Sequence, residues 1–260
     1  MSACVHYRVE GAVARLTLDS PHNRNALSTA LVEQLHAGLR AAAADPNVRC
    51  VVLGHTGGTF CAGADLSESS GADPAAAALD RAQEMTAALR AILDLPVPVI
   101  GAIDGHVRAG GMGLVGACDI VVAGTNSTFA LTEARIGVAP SIISLTLLPK
   151  MTARAAGRYF VTGEKFGAAE AAAIGLISIA SADVEADVAA LAAEVGRGSP
   201  QGLAASKALT TAAVLETFDR AADDLAAQSA ALFVSEEARE GMTAFLQKRA
   251  PNWSAHQTPR

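Results

Sequence analysis

Apolar positions change their spacing along the chain, and each change marks an element. Val13–Leu18 alternates V-A-R-L-T-L and is rich in large or branched apolar residues, which predicts a strand. A polar turn, Asp19–Asn25, follows and carries a proline. Leu31, Val32, Leu35 and Leu39 then form a helical stripe, with Ser28 placed as its N-cap and Leu27 placed to staple against Val32. Asp45-Pro46-Asn47 stops that helix. Arg49–Gly54 reads as a buried strand opening into the glycine-rich stretch Gly57–Asp65, and the small, polar residues 67–75 read as a loop. A helix over about Ala75–Leu93 and a strand over Val97–Ile103 come next. The prolines at 96 and 98 place that strand at a sheet edge or mark its entrance. Gly105–Gly116 is a second glycine-rich turn running into a short helix, and Ile120–Ala123 is a further short strand.

Beyond Pro140 the helical spacing dominates. Val184, Val188, Leu191 and Val195 sit three or four apart, with Gly196 as the stop, and Phe218–Phe233 and Ser235–Lys248 continue the pattern. The last segment, Pro251–Arg260, is expected to be loose. Recurring strand, helix and strand predict an α/β fold with a mainly parallel sheet flanked by helices. The expected division is a core over residues 1–195 and a helical region over 196–260 that packs on a neighbouring copy.

Composition narrows the possible functions. With 260 residues, 51% of them hydrophobic, the chain can bury a full core. Its formal charge of -6 and lack of a basic block argue against nucleic acid, although local arginines and helix N-termini can still bind an anionic cofactor. The opening MSACVHYRVEG has no secretory pattern, and the uncharged stretches are too short to cross a membrane. Cys4, Cys50, Cys61 and Cys118 are spaced neither for a metal site nor for a disulfide framework, so no metal is expected and a reducing cytoplasm is the simplest setting.

The two glycine-rich turns suit one kind of chemistry. Proton removal at the α-carbon of a thioester, or addition at its β-carbon, puts negative charge on the carbonyl oxygen. Two backbone N–H groups aimed at that oxygen stabilise it, and such donors converge only where side chains do not intrude. Phe60–Asp65 and Arg108–Gly113 are two small-residue turns, each following a strand. Taken singly, either could serve backbone geometry alone, and the second could equally be a phosphate-binding helix start. Neither matches a dinucleotide or P-loop motif.

Ordered blocks over nearly the whole chain resemble the enoyl-CoA hydratase/isomerase, or crotonase, family. They are Pro21–Leu27, Thr59–Leu66, Ala117–Gly124, Phe129–Pro140, Arg158–Ile177 and Glu240–Trp253. The resemblance implies repeated ββα units with a helical trimerisation region, assembled as a homotrimer or a dimer of trimers. It implies an acyl-CoA substrate and no permanently bound cofactor, coenzyme A being part of the thioester. The oxyanion donors map to the N–H groups of Ala64 and Gly110. The coenzyme A site maps to Arg24, Ala62, Asp65 and Leu66, with the Ala62 carbonyl facing the adenine. Typical hydratases carry two glutamates, of which the later falls on Glu133. The earlier falls on Gly113, beside Met112, so the second acid is absent. Local sequence is similar to the subgroup acting on branched or methylglutaconyl-type enoyl-CoAs of leucine and terpenoid breakdown.

Glu133, between apolar Phe129–Leu131 and Ile136–Val138, is expected to have a raised pKa and to carry protons. Arg108 is expected either to pair with Asp104 or Asp119, or to contact a carboxylate on the acyl group or a coenzyme A phosphate. Ser141 is read as a helix cap or a water holder. His106, Asp104 and Asp119 are read as structural, and Cys61 and Cys118 as small buried hydrophobes. Three functions follow: hydration of a 2-enoyl-CoA, isomerisation of a 3-enoyl-CoA with one glutamate, or acyl-CoA binding without turnover.

Overall fold

The computed structural model describes residues 3–68 and 73–254. The chain runs through β1 (Val5–Glu10), β2 (Val13–Leu18), α1 (Thr29–Ala44), β3 (Cys50–His55), β4 (Thr59–Cys61), α2 (Pro74–Leu93), β5 (Val99–Ile103), β6 (His106–Arg108) and α3 (Gly110–Ala117). It continues as β7 (Ile120–Gly124), β8 (Thr128–Ala130), α4 (Ser144–Leu147), α5 (Ala153–Thr162), β9 (Phe166–Gly167), α6 (Ala168–Ala173), β10 (Ile179–Ser181), α7 (Val184–Gly196), α8 (Pro200–Phe233) and α9 (Glu236–Leu246).

The first unit places both of its strands, β1 and β2, in one sheet, and the units that follow each send a longer strand (β3, β5, β7) into that sheet and a short one (β4, β6, β8) into another. The large sheet has the order β1-β2-β3-β5-β7-β10, and the small one β4-β6-β8-β9. Among the described residues only the β1–β2 and β8–β9 pairs are antiparallel. The expected parallel α/β architecture is therefore present. Ser28 caps the first helix as read, its Oγ accepting from Leu31 N–H; the second helix starts on a cap the sequence reading did not name, Asp73, which accepts from Ala75 and Ala76 N–H ahead of Pro74. The strand after Pro96 and Pro98 is central, between β3 and β7, so the prolines mark its entrance and not an edge. Residues 69–72 of the expected loop and the tail beyond Ser254 lie outside the described residues.

The main core fills the space between the large sheet and helices α1, α2, α3 and α8, and a smaller cluster lies under α7 on the opposite face of the sheet. Val214, Phe218 and Ala226 of α8 belong to the main core, so the helical region packs back on its own chain. One buried ion pair fastens it there. Lys207 Nζ lies 2.7 Å from Asp119 Oδ2 and donates to the carbonyls of Ile92 and Val97, while Asp119 also accepts from Val99 N–H. All four cysteines are buried, and burial pushes the Cys61 and Cys118 thiols up to about 12, so these two pack as small hydrophobes. No helix among the described residues is long and apolar enough to cross a membrane.

Candidate active site

The two glycine-rich turns meet backbone to backbone. Gly63 has φ +94, and a Cβ there would lie 2.7 Å from Ala109 Cβ and 3.3 Å from the Gly110 nitrogen. A residue with a side chain at 63 would force the turns apart, which is why glycine stands there. Leu27 N–H holds the first turn from outside by donating to Gly63 O at 2.8 Å. Ala109 has φ 47 and ψ -124, an uncommon conformation for alanine, and leads into the first residue of α3. Helix α3 is buried on every side after Gly110. The N–H groups of Ala64 and Gly110 donate to no acceptor among the described residues; Gly110 opens α3, and the first turn of a helix leaves its donors free.

Glu133 opens a short 3-10 turn, Glu133–Ile136, that ends at Gly137 with φ 80. Helix α9 lies directly on this turn: a Cβ at Gly241 would come 2.5 Å from Ile136, and one at Gly137 2.6 Å from Glu237. Glu133 is 7% exposed, and its carboxyl Oε2 is buried with no hydrogen-bond partner. Burial is the main cause that raises its pKa from 4.5 to about 7, opposed only by its own backbone N–H. Ser141 Oγ is likewise buried and unpaired; among the described residues these two are the only buried side-chain oxygens or nitrogens left so.

Ala64, Gly110, Glu133 and Ser141 line one cavity of about 470 Å³, together with Arg24, Ala62, Leu66 and Arg108. Most of its remaining wall is apolar, from Met85, Val138, Ile142, Ile143 and Phe233. Other residues sit elsewhere than the sequence suggests. Met112 is fully buried in the core and does not line the cavity. Asp65 ties two loops together, accepting from Asn23 Nδ2 at 2.9 Å and from Ser67, and it too lies outside the lining. Gly113 is covered: a Cβ there would meet Ile143 Cγ2 at 2.5 Å and Met85 Cε at 3.2 Å, so the place of a second acid is filled by hydrocarbon. Arg108 pairs with neither Asp104 nor Asp119. Its guanidinium donates to the carbonyls of Val107 and Thr128 and to Thr128 Oγ1 at 2.7 Å, which turns it toward a residue outside the lining. His106 is exposed and shares that same Thr128 hydroxyl at 2.9 Å. Ser141 caps nothing, because α4 begins without a side-chain cap.

Sequence reasoning missed Arg81, Glu84 and Met85, which α2 sends to the cavity wall. Their signal is the helical spacing of Ala78, Ala82 and Met85, which aims one face of α2 inward. It missed the C-terminal wall as well: Phe245 of α9 and Arg249 beyond that helix reach the cavity from far along the chain. A larger polar hollow of about 830 Å³ lies near Arg15, His55 and Asp183. Its charges compensate one another, Arg15 pairing with Glu10 and Glu185, and it holds neither unpaired oxygen.

The geometry therefore joins two free backbone donors, one unpaired buried acid and an apolar pocket. Comparison with known proteins places it. Residues 8–256 match the family model described as enoyl-CoA hydratase/isomerase. The 2,3-dehydroadipyl-CoA hydratase of Escherichia coli K12 is 35% identical over 248 residues, 93% of this chain and 94% of that protein. The carnitinyl-CoA dehydratase of Proteus mirabilis is 29% identical, over 97% of this chain and 99% of its own. A crystal structure of an enoyl-CoA hydratase from Mycobacterium avium shares 67% identity and a TM-score of 0.91, covering 97% of this chain and 100% of that one. In sequence along nearly its whole length, and in fold, the chain belongs to the enoyl-CoA hydratase/isomerase family.

Proposed function

We propose that this chain is an enoyl-CoA hydratase that adds water across the 2,3 double bond of a branched 2-enoyl-CoA, with Glu133 as its one working carboxylate. The observation that carries the reading is the unpaired Glu133 Oε2 in the same cavity as the free N–H groups of Ala64 and Gly110. The ionised Glu133 takes a proton from water as the water oxygen bonds to the β-carbon. The double-bond electrons move toward the carbonyl, and the enolate oxygen is held by the two N–H groups, each worth about 3 kcal/mol or more in such sites. Protonated Glu133 then gives its proton to the α-carbon, which restores both thioester and carboxylate. A pKa of about 7 suits a group that must take and return a proton near neutrality.

Arg24, exposed at the rim, and half-buried Arg81 supply cations for the phosphates of coenzyme A. The apolar wall favours a branched hydrocarbon acyl group over a carboxylated, methylglutaconyl-type one, and the Arg108 guanidinium already gives three of its five N–H donors to Val107 and Thr128. The hydrocarbon over Gly113 gives isomerisation of a 3-enoyl-CoA some support too, since that reaction needs a single carboxylate. Crotonyl-, 3-methylcrotonyl-, 3-methylglutaconyl- and 3-hexenoyl-CoA assayed side by side separate these outcomes. Hydration is expected, fastest with the branched apolar ester. Conversion of 3-hexenoyl-CoA alone, with no hydration of any 2-enoyl ester, makes the chain an isomerase.

A further inference from the structure

A carboxylate that takes a proton from water fixes only one of the water's two O–H bonds. The water can still swing about that hydrogen bond, and its lone pair meets the β-carbon only in part of that arc. A second contact is needed, and the place above Gly113 cannot supply it, because Ile143 and Met85 fill that space. The cavity holds one other unpaired buried oxygen, Ser141 Oγ.

The backbone of Ser141 is fixed. Its N–H donates to Ala139 O at 2.8 Å, and its carbonyl accepts from Ser144 N–H at 3.3 Å and from Ser144 Oγ at 2.5 Å. The hydroxyl is therefore the one polar group of the residue left over, at 6% exposure. A buried hydroxyl without a partner is costly, and where it has no structural bond to make, a ligand atom is the natural partner. Ser141 is also joined to the acid through a short run of chain, in which Val138 N–H donates to Glu133 O at 3.1 Å. The two oxygens thus sit on one braced segment.

We infer that Ser141 is the positioning residue for the attacking water, in place of a second acid. This rests on the hydratase reading above. The water donates one hydrogen to Glu133 Oε2 and the other to Ser141 Oγ. As its oxygen bonds to the β-carbon, the first proton passes to Glu133 and on to the α-carbon. The second stays on oxygen as the hydrogen of the product's hydroxyl group. Ser141 neither gains nor loses a proton.

Two reactions of the full-length protein separate this role from that of Glu133. Hydration of crotonyl-CoA needs a held water; exchange of the α-hydrogens of butyryl-CoA into deuterated solvent, followed by NMR, needs only the acid and the two N–H donors. Ser141→Ala is expected to lower hydration kcat by roughly 10²-fold and to keep exchange within about twofold of the parent. Its thermal midpoint is expected to stay level or rise, since an unpaired buried hydroxyl is removed. Glu133→Gln should lose both reactions. Hydration retained in Ser141→Ala within about threefold, or hydration and exchange falling together, overturns the role of Ser141 and leaves the hydratase reading standing. Parent protein that exchanges butyryl-CoA but hydrates no crotonyl-CoA overturns both.

Discussion

Glu133→Gln keeps the shape of the side chain and removes its charge, and the burial of that charge has a size that can be measured apart from catalysis. The folded chain holds the Glu133 proton up to about pH 7, against an ordinary value of 4.5. At 1.36 kcal/mol per pH unit, the difference corresponds to about 3 kcal/mol. Below pH 4.5 both folded and unfolded chains carry the proton, and the acid costs nothing. Between 4.5 and about 7 the unfolded chain releases it first, so stability falls as pH rises. Above about 7 the loss is complete and constant. Glutamine does not ionise, so the variant escapes this loss. Urea unfolding of both proteins at fixed concentration is the assay, because assembly makes stability depend on concentration. The stability of the variant relative to the parent should be greater at pH 8 than at pH 5 by roughly 2–3 kcal/mol. Comparing two pH values cancels whatever the amide itself costs. A relative stability that does not change with pH would show that Glu133 is solvated or already paired, and the one-carboxylate reaction would lose its basis. The same variant should bind thioester while kcat falls by roughly 10²–10⁴-fold.

Further outcomes follow from the same cavity. The pH profile of kcat/KM should rise with an apparent pKa near 7 and then level off, since no second acid is there to be lost; a bell-shaped profile points to another titrating group. Gly113→Glu should lower both activity and stability, the latter by about 1–3 kcal/mol, because the new side chain must displace Ile143; hydration raised by this variant would mean the pocket opens more than its packing allows. Calorimetry should find acyl-CoA bound more tightly than the same acyl group on pantetheine, with Arg24→Ala and Arg81→Ala narrowing the gap; equal affinities would leave the nucleotide end without a role. Light scattering at micromolar concentration should give a trimer or hexamer, with exposed Val161 and Leu209 among the apolar groups a neighbour would cover, and a monomer defeats the assembly.

Periodicity reports elements long enough to have a period. It reveals β2, α1, α2 and α7, whose stripes run several residues. Strands such as β4, β6, β8 and β9, of two or three residues, contain no repeat to detect, yet they make up the small sheet and set the two turns side by side. Helix α8 is legible only from Phe218 onward, because the alanine- and threonine-rich stretch from Pro200 buries just Lys207, Thr211 and Val214 before it. The site divides in the same manner. Glu133 is legible, since it stands in an apolar run of sequence and is buried as that run suggests. The covering of Gly113 by Ile143 and the turning of Arg108 to Thr128 join residues 20 or more positions apart, and no local pattern encodes them.

The ion pair of Lys207 with Asp119 anchors the first part of the long C-terminal helix. Asp119 lies two residues beyond the end of α3, the helix that opens at Gly110, so the anchor of α8 is tied to the element that forms one of the two turns. From Lys207 to Phe233, which lines the cavity, is 26 residues, or about 39 Å along the axis. Val214, Phe218 and Ala226 lie between these two points and are packed in the main core, so α8 is held along its length and ties the Asp119 end of the molecule to the cavity wall at Phe233 as one strut.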